Sequence, residues 1–276
     1  MIRFLCLLGN PASHSLSPFM QNAALDNLEL LDKYMYFALE TDDLDKAMKL
    51  FRENSIYGAN ITIPYKERVF KYLDTKNISD EAKKIGAINT ISKKDKVLYG
   101  HNTDWSGFLN CLNKHKKIST FKGKSALVVG SGGASKAVIY ALYSIGVKID
   151  VLSRTKTKPE EVCPKNPLAI NRVINKMSDI GDVDMIINTT PLGMQGEHED
   201  KTPVDKKYIT EKMLCIDLIY NPFKTRFLKE AESKKAKIIN GVDMLVYQGA
   251  ESFKIWTKKH APINVMRKAV LEKLNI

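Results

Sequence analysis

Two ionisable residues in the first half of the chain, Lys66 and Asp104, stand where they could transfer a proton. Lys66 follows Pro64 at the start of a predicted helical turn, where its positive charge opposes the helix dipole, so a nearby carboxylate is expected. Asp104 ends a strand-like segment and reaches Lys66 if the two strand ends are adjacent. A lysine oriented by an aspartate can give or take a proton at a substrate hydroxyl. The alternatives are a surface lysine and an aspartate that caps the helix beginning at Trp105.

Four loops in the same part of the chain are rich in uncharged polar side chains. Each follows or ends a predicted strand, and strand ends of an open α/β sheet face the ligand crevice, so these loops suit a small hydroxylated molecule. Because Pro18 is a natural first helical residue, capping and ligand binding are both open for Ser17, whereas Ser15 has no such structural role. The four loops are residues 13–18, 60–66, 87–90 and 101–104.

A glycine-rich segment lies between an apolar run at residues 125–129 and a helical pattern that reaches Leu142. Glycine lets the backbone turn tightly and approach a pyrophosphate, whose charge is met by free N–H groups at the helix N-terminus. This order is typical of Rossmann domains, although Ser135 replaces the third glycine, and an ordinary tight turn is the alternative. The residues predicted to bind a dinucleotide here are Gly130, Ser131, Gly132, Gly133 and Ala134.

Whether the dinucleotide is NAD or NADP depends on the residues at the end of the next predicted strand. Asp150 stands at the count typical of an NAD site, but the apolar pattern continues past it, so Asp150 is predicted to lie mid-strand. The strand tip and the residues after it supply Ser153, Arg154, Thr155, Lys156 and Lys158. Hydroxyl, guanidinium and ammonium groups suit a 2′-phosphate, so NADP is the predicted cofactor, with solvated loop charges as the alternative.

Composition narrows the class of protein. A chain of 276 residues, 44% of them hydrophobic, has room for one large domain or two ordinary ones. No apolar run of about 18 residues occurs and the first residues lack the features of a signal peptide, so a cytoplasmic protein with no membrane partner is expected. The formal net charge of +12 comes from scattered lysines, so no nucleic-acid partner is expected. The spacing of the cysteines and histidines predicts no metal site.

The hydrophobic pattern predicts two α/β lobes. In the first, strand and helix patterns alternate, which indicates a mostly parallel sheet covered by helices, followed by a hairpin. After the glycine-rich segment the alternation continues, and the last helix, 263–274, is predicted to pack back on the first lobe. The predicted domains are 1–104 with 245–276, which binds substrate, and 105–244, a Rossmann-type domain. The other predicted strands are 2–8, 34–40, 58–63, 88–91, 97–100, 147–152, 184–188, 214–218 and 237–239, and the other helices are 19–31, 44–53 and 105–112.

Taken together, these segments resemble the shikimate dehydrogenase family over almost the whole chain. The likeness rests on many motifs in the same order, which makes it highly specific. Besides the glycine-rich turn, they are GNP at 9–11, SLSP at 15–18, GANITIP at 58–64 with KE at 66–67, GAINT at 86–90, NTD at 102–104 with Gly107, SRT at 153–155, NTTPLGM at 188–194, DLIYNP at 217–222, NGVDML at 240–245 and QGA at 248–250.

The resemblance implies a role for each matched residue. Ser15 and Ser17 would bind a substrate carboxylate, and Lys66 with Asp104 would form the catalytic pair. Ring hydroxyls would be held by Thr62, Asn89, Asp104 and Gln248, and Asn60, Tyr220 and Gly241 would complete the substrate and nicotinamide surroundings. The cofactor set would be the glycine-rich turn with Ser153, Arg154, Thr155, Lys158, Thr190, Leu218, Gly241 and Met244. A core position is the alternative for Met244.

The family's reaction is the reversible NADPH-dependent reduction of 3-dehydroshikimate to shikimate, in the pathway to chorismate and the aromatic amino acids. Three positions depart from the family pattern: Gln21, Ser153 and Lys158 stand where histidine, asparagine and arginine are common. The last two departures weaken the expected contacts around the adenine ribose. The alternatives are a quinate/shikimate dehydrogenase with relaxed cofactor use, a folate-linked dehydrogenase and a non-catalytic NADP-binding regulator. A monomer or a homodimer is expected.

Overall fold

The computed structural model describes residues 2–53 and 56–276. The chain forms two compact units, the first made of Met1–Gly107 and Val246–Ile276 and the second of Phe108–Leu245. The predicted domain limits lie within a few residues of these.

The first unit is built on a mixed sheet with the strand order β2-β1-β3-β4-β5 among the described residues. Strands β1 (Arg3–Gly9), β2 (Tyr34–Glu40) and β3 (Ile56–Ile61) are parallel. β4 (Thr90–Lys94) and β5 (Val97–His101) form the predicted hairpin and pair antiparallel, so the parallel part of the sheet is smaller than predicted. β1, the middle one of the three parallel strands, is buried from Leu5 to Leu8, as expected for a parallel strand covered on both faces.

Among the described residues up to His115, the α-helices are α1 (Ser17–Asn27), α2 (Leu44–Glu53), α3 (Asp80–Ile85) and α4 (Asp104–His115). α2 has its predicted bounds, and its buried residues Leu44, Ala47, Met48 and Phe51 follow the spacing of one helical face. α1 begins earlier than predicted, because Pro18 lies in its first turn, and it also ends earlier, at Asn27.

The second unit contains a parallel sheet with the strand order β11-β10-β9-β6-β7-β8 among the described residues. Counted from β6, this is the order 6-5-4-1-2-3, which is the Rossmann arrangement read from the opposite edge. The Rossmann prediction is therefore confirmed. The strands are β6 (Ser125–Val129), β7 (Lys148–Leu152), β8 (Arg172–Ile174), β9 (Met185–Asn188), β10 (Leu214–Asp217) and β11 (Lys237–Ile239), with helices α5 (Gly133–Ser144), α6 (Pro159–Val162) and α7 (Arg226–Ser233) between them.

The chain returns to the first unit through α8 (Val242–Thr257) and α9 (Ile263–Lys273). α9 packs against α1, so the prediction that the last helix returns to the first lobe is confirmed. Trp256 of α8 is buried and donates a hydrogen bond of 2.9 Å from Nε1 to the Ile91 carbonyl of β4. Within the described part of the chain, every helix is too short or too polar to cross a bilayer.

Candidate active site

The topology of the first unit brings its polar loops to one edge of the sheet. Asn60 at the end of β3 lies opposite Thr90 at the start of β4, and Thr90 lies opposite His101 at the end of β5. Because β1 runs parallel to β3, its carboxyl end and the loop after it reach the same edge. Strand order and direction therefore place the four loops that the sequence singled out at the same edge of the sheet.

Lys66 and Asp104 form an ion pair at this edge. Lys66 Nζ lies 2.7 Å from Asp104 Oδ2, and the two side chains are 17% and 6% exposed. The backbone of Lys66 is fixed as well, because its carbonyl accepts a hydrogen bond of 2.8 Å from the N–H of Ile88. The predicted proximity of the two side chains is confirmed.

The surroundings of Lys66 differ from the prediction in one respect. Lys66 lies in a turn before a five-residue 3₁₀ helix, Arg68–Tyr72, and not at the start of an α-helix. A helix this short has little macrodipole, so the predicted opposition between Lys66 and a helix dipole is wrong. The Asp104 carboxylate, rather than a helix end, is the charge that acts on this lysine.

Asn89 fixes the orientation of the Asp104 carboxylate. Its Nδ2 donates to Asp104 Oδ1 over 2.8 Å, while its Oδ1 accepts from the Thr103 N–H over 2.7 Å and from the Thr90 hydroxyl over 3.0 Å. A carboxamide held from both ends cannot rotate without breaking several hydrogen bonds. One oxygen of Asp104 is thus held by Asn89 and the other by Lys66.

The side chain of Asn60 forms its hydrogen bonds with other residues of the protein. It is 5% exposed, and its Oδ1 accepts from the Tyr36 hydroxyl over 2.8 Å. Its Nδ2 donates to Ser252 Oγ over 2.9 Å and to Thr90 Oγ1 over 3.2 Å. This geometry favours a positioning role for Asn60 over the predicted contact with substrate.

Gln248 is brought to the pair by a close approach of α4 and α8. A Cβ atom on Gly107 would lie 2.7 Å from the Gln248 backbone nitrogen, so only glycine allows this packing. The Gln248 carbonyl accepts from the Thr103 hydroxyl over 3.0 Å, and its Oε1 lies 3.3 Å from Asn89 Nδ2. Ser252, one turn further along α8, contacts the Thr103 hydroxyl at 3.1 Å. Sequence reasoning missed Ser252, although it shares a helical face with Gln248.

Residues 10–16, called here the serine loop, lead into α1. The hydrogen bonds at this junction differ from those predicted. Ser17 is the first residue of α1, and the N-cap position is occupied by Leu16. It is Ser15 whose Oγ accepts the Ser17 N–H, over 3.2 Å, and the two hydroxyls lie 3.2 Å apart. Ser15, for which no structural role was predicted, therefore has a local structural role at the start of α1, and Ser17 is buried with its hydroxyl oxygen accepting from the Ser15 hydroxyl.

Glu40, at the end of β2, accepts hydrogen bonds from the backbone of the serine loop. Its Oε2 accepts hydrogen bonds of 2.8 Å from the backbone N–H groups of Ala12 and Ser13. These bonds stabilise the charged form and lower the pKa of Glu40 to about 2. Sequence reasoning had no basis for singling out Glu40, because its role depends on the pairing of β2 with β1.

Thr62 is half-buried in the loop after β3, and its backbone N–H donates to the Leu8 carbonyl over 2.9 Å. No hydrogen bond occupies its hydroxyl among the described residues, so the hydroxyl has donor and acceptor capacity for a ligand.

Gln21, one of the departures from the family pattern, is buried on α1 and donates from Nε2 to the Gly249 carbonyl over 3.0 Å.

The glycine-rich turn of the second unit packs closely against the end of β9. Gly130 has a φ of +117°, and a Cβ there would lie 2.6 Å from Thr189 Oγ1. Ser135, in place of the third glycine, is buried and its hydroxyl contacts Thr189 Oγ1 at 2.5 Å, which ties the turn to the end of β9. Gly132 is the N-cap of α5, so the first N–H groups of the helix, those of Gly133 and Ala134 among them, have no partner within it.

The tip of β7 has the character predicted for a 2′-phosphate site. Asp150 lies in the middle of the strand and its Oδ2 accepts from Arg172 Nε over 2.8 Å, so the mid-strand prediction is confirmed. Ser153 is buried just beyond the strand end, whereas Arg154, Thr155 and Lys158 are exposed. These residues and the glycine-rich turn fit an adenine nucleotide that carries a phosphate on its ribose.

The remaining predicted cofactor residues lie in the loops after β9 and β10. Thr190 donates from its backbone and its hydroxyl to Asn188 Oδ1 over 3.0 and 2.7 Å, and the Leu218 N–H donates to the Asn188 carbonyl over 3.1 Å. Asn188 in turn donates to the buried Asp217 over 3.0 Å. Burial raises the pKa of Asp217 to about 6, although it accepts hydrogen bonds from Thr225 and Ile219 as well.

Tyr220, Gly241 and Met244 also belong to the second unit. Tyr220 is half-buried after β10, and the Gly241 N–H donates to the Ile219 carbonyl over 3.0 Å. Met244 is buried on α8, as its alternative core position requires, so its contact with a cofactor remains a prediction.

Comparison with known proteins decides the family. The shikimate dehydrogenase substrate binding domain model matches residues 7–91, and the shikimate 5′-dehydrogenase C-terminal domain model matches residues 241–271. A shikimate dehydrogenase (NADP(+)) of Dehalococcoides mccartyi strain CBDB1 is 40% identical over 271 residues, which cover 95% of this chain and 93% of that protein. The chain belongs to the shikimate dehydrogenase family.

Solved shikimate dehydrogenases are similar in structure as well. The shikimate 5-dehydrogenase of Thermus thermophilus, in complex with NADP(H) and shikimate, has a TM-score of 0.85 and 34% identity, and the match covers 99% of both chains. The Listeria monocytogenes enzyme, in complex with shikimate and NAD, has a TM-score of 0.83 and 30% identity over 97% of this chain and 96% of that one. Both nicotinamide cofactors thus occur in structures of similar shikimate dehydrogenases.

Proposed function

We propose that this protein is an NADP-dependent shikimate dehydrogenase, which reversibly reduces 3-dehydroshikimate to shikimate in the pathway to chorismate and the aromatic amino acids. The observation that carries the proposal is the Lys66–Asp104 ion pair of 2.7 Å, held by Asn89 at the edge of the first sheet. The family, and a relative solved with both NADP(H) and shikimate, support the same reaction.

The first unit binds the substrate. The hydroxyls of Ser15 and Ser17 bind its carboxylate, and Glu40 keeps the serine loop, which directly precedes Ser17, in place through two backbone hydrogen bonds. Thr62, Asn89, Asp104 and Gln248 bind the ring hydroxyls, since hydroxyl, amide and carboxylate groups together both donate and accept. Asn60 positions this set through its hydrogen bond of 3.3 Å to the Asn89 carbonyl.

The second unit binds NADP. The glycine-rich turn and the N-terminus of α5 receive the pyrophosphate, because their backbone N–H groups and helix dipole favour anions. The residues that receive the rest of the cofactor are Ser153, Arg154, Thr155, Lys158, Thr190, Leu218, Gly241 and Met244. Bound NADPH supplies the hydride for the reduction.

Lys66 is the proton donor. As the carbonyl of 3-dehydroshikimate becomes an alkoxide, the Lys66 ammonium transfers a proton to that oxygen, and in the reverse direction the neutral amine accepts the proton from the shikimate hydroxyl. Asp104 orients the ammonium through its 2.7 Å contact, and its second oxygen is kept in place by Asn89. A proton donor that is held before the substrate arrives needs little reorganisation in the transition state.

The chain acts on its small-molecule substrate in the cytoplasm, as a monomer or a homodimer, and has no nucleic-acid partner. Size-exclusion chromatography with light scattering measures the oligomeric state. Binding of a labelled DNA duplex to the protein at physiological salt would contradict the proposal that it has no nucleic-acid partner.

The proposal is tested with shikimate and NADP as the only reactants, by following the absorbance of reduced nicotinamide. We expect turnover with this pair and loss of most of it in the Lys66→Met protein. Binding of NADPH without turnover on shikimate or any cyclic hydroxy acid would instead support a non-catalytic NADP-binding regulator.

A second candidate is a quinate/shikimate dehydrogenase with relaxed cofactor use. It is favoured by the departures at Ser153 and Lys158 and by the similar enzyme solved with NAD. Assays of shikimate and quinate with each cofactor separate the two candidates, because the second predicts comparable kcat/KM for NAD and NADP.

A further inference from the structure

We propose that Lys156, which lies outside the set of cofactor residues implied by the family, binds the 2′-phosphate of NADP and determines the preference for NADP over NAD. The inference rests on the proposed function only in that the second unit binds a nicotinamide dinucleotide. It assigns to one further side chain the cofactor selectivity that Ser153 and Lys158 leave open.

The ammonium of Lys156 is held at the glycine-rich turn. Lys156 Nζ donates to the backbone carbonyl of Ser131 over 3.1 Å, and the side chain is half-buried, whereas Arg154 and Lys158 on either side are exposed. In a Rossmann unit the adenine ribose lies between the tip of the second strand and the glycine-rich turn. Lys156 follows the strand tip and its ammonium contacts the glycine-rich turn. The ammonium therefore lies where the ribose 2′ substituent is recognised.

The backbone around Lys156 is shaped to return the side chain to the turn. Ser153 Oγ accepts the Lys156 N–H over 3.0 Å, which bends the chain back just after β7. Asn175, just after β8, donates from Nδ2 to the carbonyls of Ser153 and Lys156 over 2.7 and 2.9 Å. Ser153 Oγ also lies 3.4 Å from Ser131 Oγ. The serine that replaces the family's usual asparagine is thus the residue that positions Lys156.

The charge of Lys156 is available to an anion. Its contact in the described residues is with a neutral carbonyl, and no carboxylate there forms an ion pair with it. An ammonium has three N–H groups, so two remain for phosphate oxygens. An NAD site places a carboxylate at the strand tip to bind the ribose 2′-hydroxyl. Here the strand's carboxylate, Asp150, lies mid-strand and is paired with Arg172 at 2.8 Å.

The test compares Lys156→Met with Lys148→Met, a matched control at the first residue of β7, whereas Lys156 follows the end of that strand. Lys148 is exposed and its replacement changes the net charge equally. The dissociation constants of NADPH and NADH are measured by calorimetry, which requires no turnover, together with those of adenosine 2′-monophosphate and AMP. Lys156→Met is expected to weaken NADPH and adenosine 2′-monophosphate about ten- to hundredfold, as loss of a hydrogen bond to a charged group does, and to leave NADH and AMP unchanged.

A second variant separates positioning from charge. Asn175→Ala keeps the lysine but removes the hydrogen bonds to the Ser153 and Lys156 carbonyls that shape the chain, so it should weaken NADPH by a smaller factor than Lys156→Met. Melting temperatures of all three variants identify any general loss of stability.

Several results would overturn the proposal. If Lys156→Met weakens NADPH and NADH equally, the lysine serves the pyrophosphate or the fold, and if it weakens neither, it has no part in cofactor binding. A wild-type protein that binds NADPH no more tightly than NADH would have no preference to explain. A wild-type protein that binds NADPH selectively but does not oxidise shikimate would refute the proposed function and leave the assignment of Lys156 intact.

Discussion

At the scale of single residues, the Lys66–Asp104 pair leads to a prediction about turnover. Replacing Lys66 by methionine keeps most of the side-chain volume but removes the proton donor, and loss of a positioned donor typically costs about 10²- to 10⁴-fold in rate. We therefore expect kcat of Lys66→Met to fall by that factor while the KM for shikimate changes little. Steady-state kinetics with saturating NADP measures both.

The control for Lys66→Met is Lys71→Met, in the 3₁₀ helix that follows. Lys71 also pairs with an aspartate, Asp45, but at 3.6 Å and with the lysine side chain 61% exposed. Such surface pairs contribute little to stability, so this variant should keep its activity and its melting temperature. Near-normal turnover of Lys66→Met would remove Lys66 from the mechanism.

Residue types and local order predicted the reactive pair, but not what surrounds it. Lys66 and Asp104 were identified from sequence because each follows a predicted strand. The support from Asn89 was predicted only as a substrate contact, and Ser252 was missed, since both depend on which strands and helices become neighbours. The prediction that Ser15 has no structural role at the start of α1 was wrong, because the exact first residue of a helix is set by local backbone geometry.

At the scale of elements, strands and helices with strong patterns were predicted well. The bounds of β2, α2, β6 and β11 agree with those predicted, because their apolar residues are flanked by polar or turn residues. β8 was missed, since three residues carry no periodicity of their own and the strand exists through its pairing with β7. β3 was placed two residues too late, because the apolar pattern runs on into the loop that carries Thr62.

The pairing of β2 with β1 leads to a prediction about the serine loop. Glu40 at the end of β2 accepts the N–H groups of Ala12 and Ser13, and glutamine keeps one acceptor oxygen without the charge. We expect Glu40→Gln to raise the KM for shikimate severalfold, with kcat nearly unchanged, because the loop that binds the carboxylate loosens while Lys66 and Asp104 stay in place. Steady-state kinetics with saturating NADP separates the two constants.

The pH dependence of this effect follows from the lowered pKa. A carboxyl whose pKa falls to about 2 on folding stabilises the folded loop at pH values above its ordinary pKa, and this contribution is lost only as the pH falls toward about 2. The KM ratio of Glu40→Gln to wild type should therefore be constant from about pH 6 to about pH 9. A ratio that changes across this range would show that another titrating group controls the loop.

At the scale of the whole molecule, the formal net charge of +12 should assist the capture of anionic ligands. The Debye length falls from about 30 Å at 0.01 M salt to about 8 Å at 0.15 M, so added salt removes long-range attraction between the protein and its ligands. We expect kcat/KM to decrease as NaCl rises across this range, more steeply for NADP, a polyanion, than for shikimate, which carries one carboxylate. The value of kcat at saturation should change little, because capture is then no longer limiting. Sucrose in place of salt controls for non-electrostatic effects, and a parallel fall of kcat would show that salt acts on the chemistry or the fold rather than on capture.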